Sequence, residues 1–252
     1  MNSLTKLAIG MILAAFATTS QSLAGGHSST LDYALDGKRF AGHVATAKSA
    51  PKATIYIIHD WNGLDAYEKT RAGMLAELGF NAVAIDLFGV DAKLEGRDDY
   101  RRETGKLYAD RAAFRGRIAA AIEAGQAKLG DAGKTFIIGY CFGGAAVLEA
   151  ARAGMALDGF VSFHGGLGTP EGQDYASTKG PVLLLHGSAD PVSGMEDLAA
   201  LLGQLQQVGV THDAEIFGGA RHSFTVAGSR DYDADADARS WDALMRFLQR
   251  NS

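Results

Sequence analysis

The residue best suited to covalent chemistry is Cys141, the only cysteine in the sequence. It lies in Gly139-Tyr140-Cys141-Phe142-Gly143, between a β-branched and aromatic run and an alanine-rich segment. This order is typical of a nucleophile elbow, in which a tight strand-to-helix turn projects a reactive side chain above a sheet. Larger side chains at the two flanking glycines would collide in such a turn. The helix that follows aims N–H groups at the site, where they favour a thiolate and hold an oxyanion.

Two simpler interpretations of Cys141 compete with this one. A lone cysteine is often a small buried hydrophobic residue, and glycine-rich turns from strand to helix are common. An odd cysteine in an exported protein is also a candidate reactive thiol. A thiol nucleophile needs a base, and the base needs a group that orients it. Residues further along the chain therefore decide between these interpretations.

Asp190 and His222 supply the two missing groups. Asp190 follows a buried apolar run, and His222 lies in the glycine-rich segment 218–224 after the last predicted strand. Taken singly, Asp190 is typical of a turn or helix cap, and His222 of a surface histidine. Together with Cys141 they follow the order nucleophile, acid, histidine, each after a strand, where parallel sheets place functional residues. The sequence therefore predicts a Cys141–His222–Asp190 triad.

Three further histidines, His59, His164 and His186, also end predicted strands. We expect them to border or support the site, because none occupies the late loop that the base requires. The sequence contains no metal-ligand spacing such as His-x-x-x-His and no GxxxxGK phosphate loop. We therefore expect no metal and no cofactor.

The segments around these residues alternate between strands and helices. A hairpin with an Asp36-Gly37 turn comes first. Leu75, Leu78 and Phe80 are expected to face a core, and Leu87 to Arg102 is polar and irregular. The pattern predicts strands at 53–59, 81–86, 135–138, 160–164, 182–186 and 213–217, and helices at 67–78, 111–129, 144–153, 194–208 and 234–248. Such alternation predicts a mostly parallel sheet with helices on both faces. Combined with the elbow at Cys141 and the order of the triad, it indicates the α/β-hydrolase fold.

Length and charge limit the classes of protein and partner. The chain has 252 residues and is 47% hydrophobic, which is enough for one sizeable core. No linker or repeat divides it, so we predict a single domain over 25–252. A formal net charge of -5 provides no basic excess that would attract nucleic acid or an anionic membrane. We expect a small-molecule substrate and favour a monomer.

The first 24 residues form a separate segment. Lys6 precedes the uncharged apolar run 7–17, and Ser22-Leu23-Ala24 places small residues where a signal peptidase reads them. This pattern predicts a secretory signal peptide at 1–24, with an apolar run too short to span a membrane well. An uncleaved amphipathic helix or membrane anchor is the alternative. We expect an exported protein, periplasmic or secreted, that is not bound to a membrane after cleavage.

Five motifs together make the chain resemble the dienelactone hydrolase family. The resemblance runs from about Ala53 to the end of the chain. It implies an α/β-hydrolase that cleaves esters or lactones through an acyl-cysteine, with Cys141, Asp190 and His222 as the triad. It also implies an oxyanion hole formed by the backbone N–H groups of Trp61 and Phe142. The motifs are IIHDWNGLD (57–65), AIDLFG (84–89), IIGYCFGG (137–144), HGSADP (186–191) and RHSF (221–224).

The chain departs from the family pattern at two places. Asp60 stands where dienelactone hydrolases carry a glutamate that contacts the resting thiol, so the resemblance assigns Asp60 a thiol-modulating role. Val226 stands where those enzymes place an arginine that binds the substrate carboxylate. Both departures, and the export signal in a mostly cytoplasmic family, argue against dienelactone itself as the substrate. The remaining candidates for substrate binding are Arg102, Arg221 and His164.

The predicted function is hydrolysis of a carboxylic ester or lactone. Thioester hydrolysis or acyl transfer on the same fold is an alternative, because specificity depends on the pocket and loops. A non-catalytic binding protein with a vestigial site is a third hypothesis.

Overall fold

A β-hairpin opens the structure, which is a computed structural model that describes residues 27–130 and 133–252. The predicted signal peptide at 1–24 lies outside these ranges. The hairpin joins β1 (Ser28–Leu35) to β2 (Lys38–Ala45) in antiparallel register. Its two-residue turn has positive φ at Asp36 (50°) and Gly37 (73°), as a type I′ turn requires, and this confirms the predicted hairpin.

Six parallel strands continue the sheet, whose strand order is β1-β2-β4-β3-β5-β6-β7-β8. The hairpin joins it through antiparallel pairing of β2 with β4. The parallel strands are almost wholly buried except for the edge strand β8, as expected for a sheet covered on both faces. They are β3 (Thr54–Ile58), β4 (Asn81–Ile85), β5 (Thr135–Tyr140), β6 (Gly159–Phe163), β7 (Val182–Gly187) and β8 (His212–Phe217). This confirms the predicted fold class.

Helices cover the two faces of the sheet and form two apolar layers. The helices are α1 (Ala66–Glu77), α2 (Arg97–Ala109), α3 (Arg111–Leu129), α4 (Phe142–Arg152), α5 (Met195–Gln207) and α6 (Ala234–Asn251). One layer packs α1 and α6 against side chains such as Ile57 and Phe136. The other packs α3, α4 and α5 against the opposite face, including Ile58 and Ile137.

The structure corrects two expectations about the first half of the chain. The sequence predicts the stretch 87–102 to be irregular, but α2 begins within it at Arg97 and continues to Ala109. Leu78, expected in the core, is 43% exposed because it caps the C-terminus of α1 rather than facing the sheet. Leu75 and Phe80 are buried as expected.

Parallel pairing brings the ends of the central strands to one edge of the sheet. Ile58 of β3 pairs with Gly139 of β5, and Tyr140 of β5 pairs with Phe163 of β6. The residues that follow these strands therefore meet at the carboxyl edge, where the predicted site residues lie. No helix within the described ranges has both the length and the apolar character needed to cross a bilayer.

Close packing of α4 on β3 predicts opposite effects for two glycine substitutions. A Cβ on Gly143 would lie 2.2 Å from the Ile58 carbonyl oxygen, whereas one on Gly73 of α1 would meet nothing within 4 Å. Gly143→Ala should lower the free energy of unfolding by about 1–3 kcal/mol or more through overpacking. Gly73→Ala should raise it by roughly 0.5–1 kcal/mol through helix propensity. Denaturant unfolding of both variants measures this, and equal effects would contradict the packing described here.

Candidate active site

Cys141 occupies a strained turn between β5 and α4. Its backbone has φ 54° and ψ -109°, a conformation that non-glycine residues rarely adopt. A Cβ on Gly139 would lie 2.2 Å from the Gly143 carbonyl oxygen, so both flanking positions exclude a side chain. The chain therefore leaves the sheet sharply at this point, and the thiol projects from the floor of a cleft.

The structure brings the three predicted triad residues into one hydrogen-bonded line. His222 Nε2 lies 3.0 Å from Cys141 Sγ, and His222 Nδ1 lies 2.8 Å from Asp190 Oδ2. The other carboxylate oxygen of Asp190 accepts from the backbone N–H groups of Val192 (2.8 Å) and Ser193 (3.2 Å). The carboxylate is thus fixed by the start of its own loop and oriented toward the imidazole.

The charges in this line reinforce one another. Burial alone would lower the pKa of His222, but its hydrogen bonds to Asp190 and Cys141 outweigh burial and raise this pKa to about 10. Burial would raise the pKa of Asp190, but His222 and two backbone N–H groups lower it. Asp190 therefore remains a carboxylate at neutral pH and favours the protonated form of His222.

The two residues predicted to form the oxyanion hole, Trp61 and Phe142, line the same cleft as Cys141. Phe142 is the first residue of α4, where an N–H has no partner inside the helix. Trp61 lies in the loop after β3 and lines the same cleft as Phe142. Neither N–H has a hydrogen-bond acceptor within the described residues. Both are thus free to donate to an oxygen bound in the cleft.

A buried glutamate holds the loop that carries Trp61. The two carboxyl oxygens of Glu68 accept from the backbone N–H groups of Asp60 (3.3 Å) and Asp65 (3.1 Å). Glu68 is 1% exposed. Because its two acceptors hold residues on both sides of Trp61, Glu68 fixes the backbone of this loop.

The family pattern implies a contact between the carboxylate at position 60 and the thiol, but Asp60 does not make it. Its carboxylate accepts from the backbone N–H of Asn62 at 3.2 Å, and in the described part of the chain it makes no hydrogen bond to Cys141. Burial raises the pKa of Asp60 to about 6, while the charge of His222 acts in the opposite direction. The interaction of Asp60 with the triad in this structure is therefore the electrostatic attraction between its carboxylate and His222.

The cleft above Cys141 has a volume of about 630 Å³ and mixed chemical character. Its aromatic wall consists of Trp61, Tyr108 and Phe142, and its charged rim of Arg97, Arg230 and Asp231. The Arg97 guanidinium lies 5.3 Å from the centroid of the Trp61 ring. The cleft can therefore surround an apolar group and place positive charge near its mouth.

The residues that α2 contributes to this cleft are not among those predicted from the sequence. Arg97, Thr104 and Tyr108 all line it. They lie seven and four residues apart, a spacing that places them on one face of a helix. This periodicity is the signal that would have identified the helix.

The three weaker candidates for substrate binding lie elsewhere. Arg102 bonds to Glu103, Asp99 and the Lys93 carbonyl, and borders a separate surface cleft. Arg221 bonds to Asp231 at 3.0 Å and does not itself line the cleft above Cys141. His164 is fully buried beneath the elbow, where its Nδ1 accepts from the Cys141 backbone N–H.

His59 and His186 are also buried structural residues. Leu87 N–H donates to His59 Nε2, and His186 Nε2 lies 2.8 Å from the Ser193 carbonyl oxygen. Among the described residues, no group of three or more His, Cys, Asp or Glu side chains is arranged to hold a metal ion.

Comparison with known proteins identifies the family. The sequence model of the dienelactone hydrolase family matches residues 40–252. The chain belongs to this family. Carboxymethylenebutenolidase from Pseudomonas putida is 28% identical over 222 residues, which span 84% of this chain and 92% of that enzyme. Within the dienelactone hydrolase family, this chain is a hydrolase of carboxylic esters or lactones, and the hypothesis of a non-catalytic binding protein is dropped.

Solved structures agree with this assignment. A dienelactone hydrolase-like promiscuous phosphotriesterase from metagenomic libraries is 34% identical, with a TM-score of 0.83 over 90% of this chain and 99% of that one. Acylaminoacyl peptidase from Pyrococcus horikoshii is 16% identical, with a TM-score of 0.72 over 91% of this chain and 42% of that one. The peptidase shares only the fold with this dienelactone hydrolase family member.

Glu68 should make the stability of the folded protein depend on pH. Burial raises the pKa of Glu68 from its ordinary value of 4.5 to about 8, so the folded state binds a proton that the unfolded state releases. Stability from this group is complete below about pH 4.5 and is lost as pH rises through about 8. Glu68→Gln should flatten this part of the curve of unfolding free energy against pH.

Glu77→Gln, at the exposed end of the same helix, is the matched control and should keep the wild-type pH dependence. An unchanged curve in Glu68→Gln would show that Glu68 is ionised in the folded state at neutral pH.

Proposed function

We propose that this enzyme hydrolyses its ester or lactone through an acyl-cysteine on Cys141. The observation that carries the proposal is the contact of 3.0 Å between Cys141 Sγ and His222 Nε2, continued by the contact of 2.8 Å between His222 and Asp190. The thiol, the imidazole base and the orienting carboxylate thus follow one another in a line, and the thiol lies in a cleft of substrate size.

Acylation follows from this geometry. His222 takes the proton of the Cys141 thiol, and the sulfur forms a bond to the carbonyl carbon of the substrate. The carbonyl electron pair moves to oxygen, where the N–H groups of Trp61 and Phe142 stabilise the oxyanion. When the carbonyl reforms, the ester C–O bond breaks and His222 returns its proton to the leaving alcohol. In a lactone, the alcohol remains attached to the acyl group.

Deacylation uses the same groups with water as the nucleophile. His222 removes a proton from water, the hydroxide oxygen bonds to the acyl carbon, and the C–S bond breaks. The sulfur leaves and recovers a proton from His222, which releases the carboxylic acid. Asp190 keeps the imidazole in one orientation and stabilises its charged form in both halves of the reaction.

Thioesters and phosphotriesters are further candidate substrates. Thioester hydrolysis and acyl transfer need the same thiolate and oxyanion donors, so the triad does not separate them from ester hydrolysis. Phosphotriester cleavage is favoured by the similarity to the promiscuous phosphotriesterase, at 34% identity over 90% of this chain. Comparing kcat/KM for lactones, aryl esters, thioesters and an aryl phosphotriester would rank these classes, and we expect an ester or lactone to rank first.

Removal of the base should abolish turnover. His222→Gln should lower kcat/KM for an aryl ester by about 10⁴-fold, because the thiol then has no proton acceptor. His212→Gln is a matched control at the opposite end of β8, where His212 Nδ1 lies 2.7 Å from the Val210 carbonyl oxygen. It should keep wild-type kinetics. Comparable losses in both variants, or substantial activity in His222→Gln, would contradict the mechanism.

We also propose that the enzyme is exported. The proposal rests on the charged, apolar and small-residue regions within residues 1–24. When the full chain is expressed in a Gram-negative host, the purified periplasmic protein should begin at Gly25. Full-length protein confined to the cytoplasm would contradict export, and full-length protein in the membrane fraction would indicate an uncleaved anchor.

A further inference from the structure

A second histidine, His164, lies beneath the nucleophile and takes no part in the proton transfers described above. It follows β6 and is fully buried. Its φ of 37° lies in the left-handed region that residues other than glycine rarely adopt. Its ring meets the His222 ring edge-on, with centroids 5.4 Å apart. A strained, buried residue beside a reactive pair points to a functional role.

Hydrogen bonds determine which nitrogen of His164 carries the proton. The Cys141 backbone N–H is shared between the Phe163 carbonyl oxygen at 3.0 Å and His164 Nδ1 at 3.2 Å, so Nδ1 is an acceptor and the ring proton is on Nε2. Nε2 in turn donates to the Thr225 hydroxyl oxygen at 2.8 Å. Burial and the nearby charge of His222 hold the pKa of His164 well below its ordinary value. The ring therefore stays neutral and keeps one acceptor and one donor.

Thr225 lies three residues after His222, in the segment that carries the base. Its hydroxyl oxygen also accepts from the Tyr67 hydroxyl at 2.6 Å, and Tyr67 in turn accepts from Arg71 Nε at 3.2 Å. Arg71 donates as well to the Thr225 carbonyl oxygen at 3.0 Å. Thr225 is therefore held to α1 through both its side chain and its backbone.

We infer that His164 and Thr225 are positioning residues that connect the nucleophile elbow to the loop of the base. Cys141 and His222 are separated by 81 residues along the chain, so covalent structure alone does not fix the distance between them. The path from the Cys141 N–H through His164 to Thr225 joins the two segments by two hydrogen bonds, beside the contact of Sγ with Nε2. This connection keeps the thiol and the imidazole within hydrogen-bonding distance of each other. The inference rests on the proposed roles of Cys141 and His222.

Substitutions at Thr225 test the connection with little change in shape. Thr225→Val removes the acceptor of the His164 N–H, and Thr225→Ser restores a hydroxyl. In full-length protein, kcat for an aryl ester is measured per active site counted by burst titration, together with KM. Because Thr225→Val removes the acceptor of both the His164 N–H and the Tyr67 hydroxyl, it should lower kcat at least about tenfold and leave KM nearly unchanged. Thr225→Ser should recover most of the loss.

A second readout separates positioning from general destabilisation. His222 faces Asp190, Cys141 and His164, and the charge of Asp60 also acts on it. If the imidazole moves away from Cys141, the pKa of His222 should fall from about 10 toward its ordinary value, as followed by NMR of the ring. Thr178→Val is the matched control, because the Thr178 hydroxyl bonds to the Ala151 carbonyl away from the cleft. It should not shift this pKa, even if it lowers the melting temperature.

Wild-type kcat per site and an unshifted His222 titration in Thr225→Val would overturn the inference, whatever the melting temperature. Failure of the proposed function would look different. If Cys141→Ala kept its activity, the acyl-cysteine mechanism would fall. The His222 titration in Thr225→Val needs no substrate and would still decide whether the connection positions the imidazole.

Discussion

The strained backbone at Cys141 is the constraint on which the rest of the site depends. A residue held at φ 54° costs roughly 1–3 kcal/mol, which the surrounding structure must offset. It is held there because β5 is locked between β3 and β6, and because α4 begins at the next residue and packs Gly143 against β3 and Gly144 against β6. This single turn gives the thiol its exposure, places the Phe142 N–H beside it and brings the sulfur within reach of His222.

The buried ionisable groups around the turn differ in their charge state. On one side, Asp190 and the Cys141 sulfur favour a positive His222. On the other side, the loop of Trp61 is held by Glu68, a buried acid whose raised pKa keeps it protonated at neutral pH. A neutral Glu68 holds the loop without adding a further negative charge beside Asp60 and Asp65. Asp60, with a pKa of about 6, is the nearest group in this loop that changes charge close to neutrality.

Much of this arrangement could be predicted from the sequence, because the informative signals are local. The run from Thr135 through the elbow into α4 combines strand, glycine and helix signals within a few residues, and Asp190 and His222 each follow a recognisable strand. Helix α2 is not evident from the sequence because it is strongly polar and its N-cap, Gly96, provides no capping side chain. Its contribution depends on tertiary packing over Trp61, which no local pattern reveals.

Arg97 and Arg102 illustrate why the substrate-binding residues could not be identified from the sequence alone. Five residues on an α-helix correspond to a rotation of about 140° from the starting face. Arg97 therefore reaches the cleft, whereas Arg102 points to the acidic side chains of its own helix. The role of His164 was equally inaccessible, because its two partners, the Cys141 N–H and Thr225, come from distant parts of the chain.

The most direct test of the account is the mass of the enzyme during turnover. The reaction with a slowly hydrolysed aryl ester is quenched in acid, the mass of the intact protein is measured by mass spectrometry, and the modified peptide is identified by peptide mapping. The acyl-cysteine mechanism predicts a protein heavier by one acyl group, carried on the peptide that contains Cys141 and absent from Cys141→Ala. Turnover without any adduct, or an acyl group on a different residue, would contradict it.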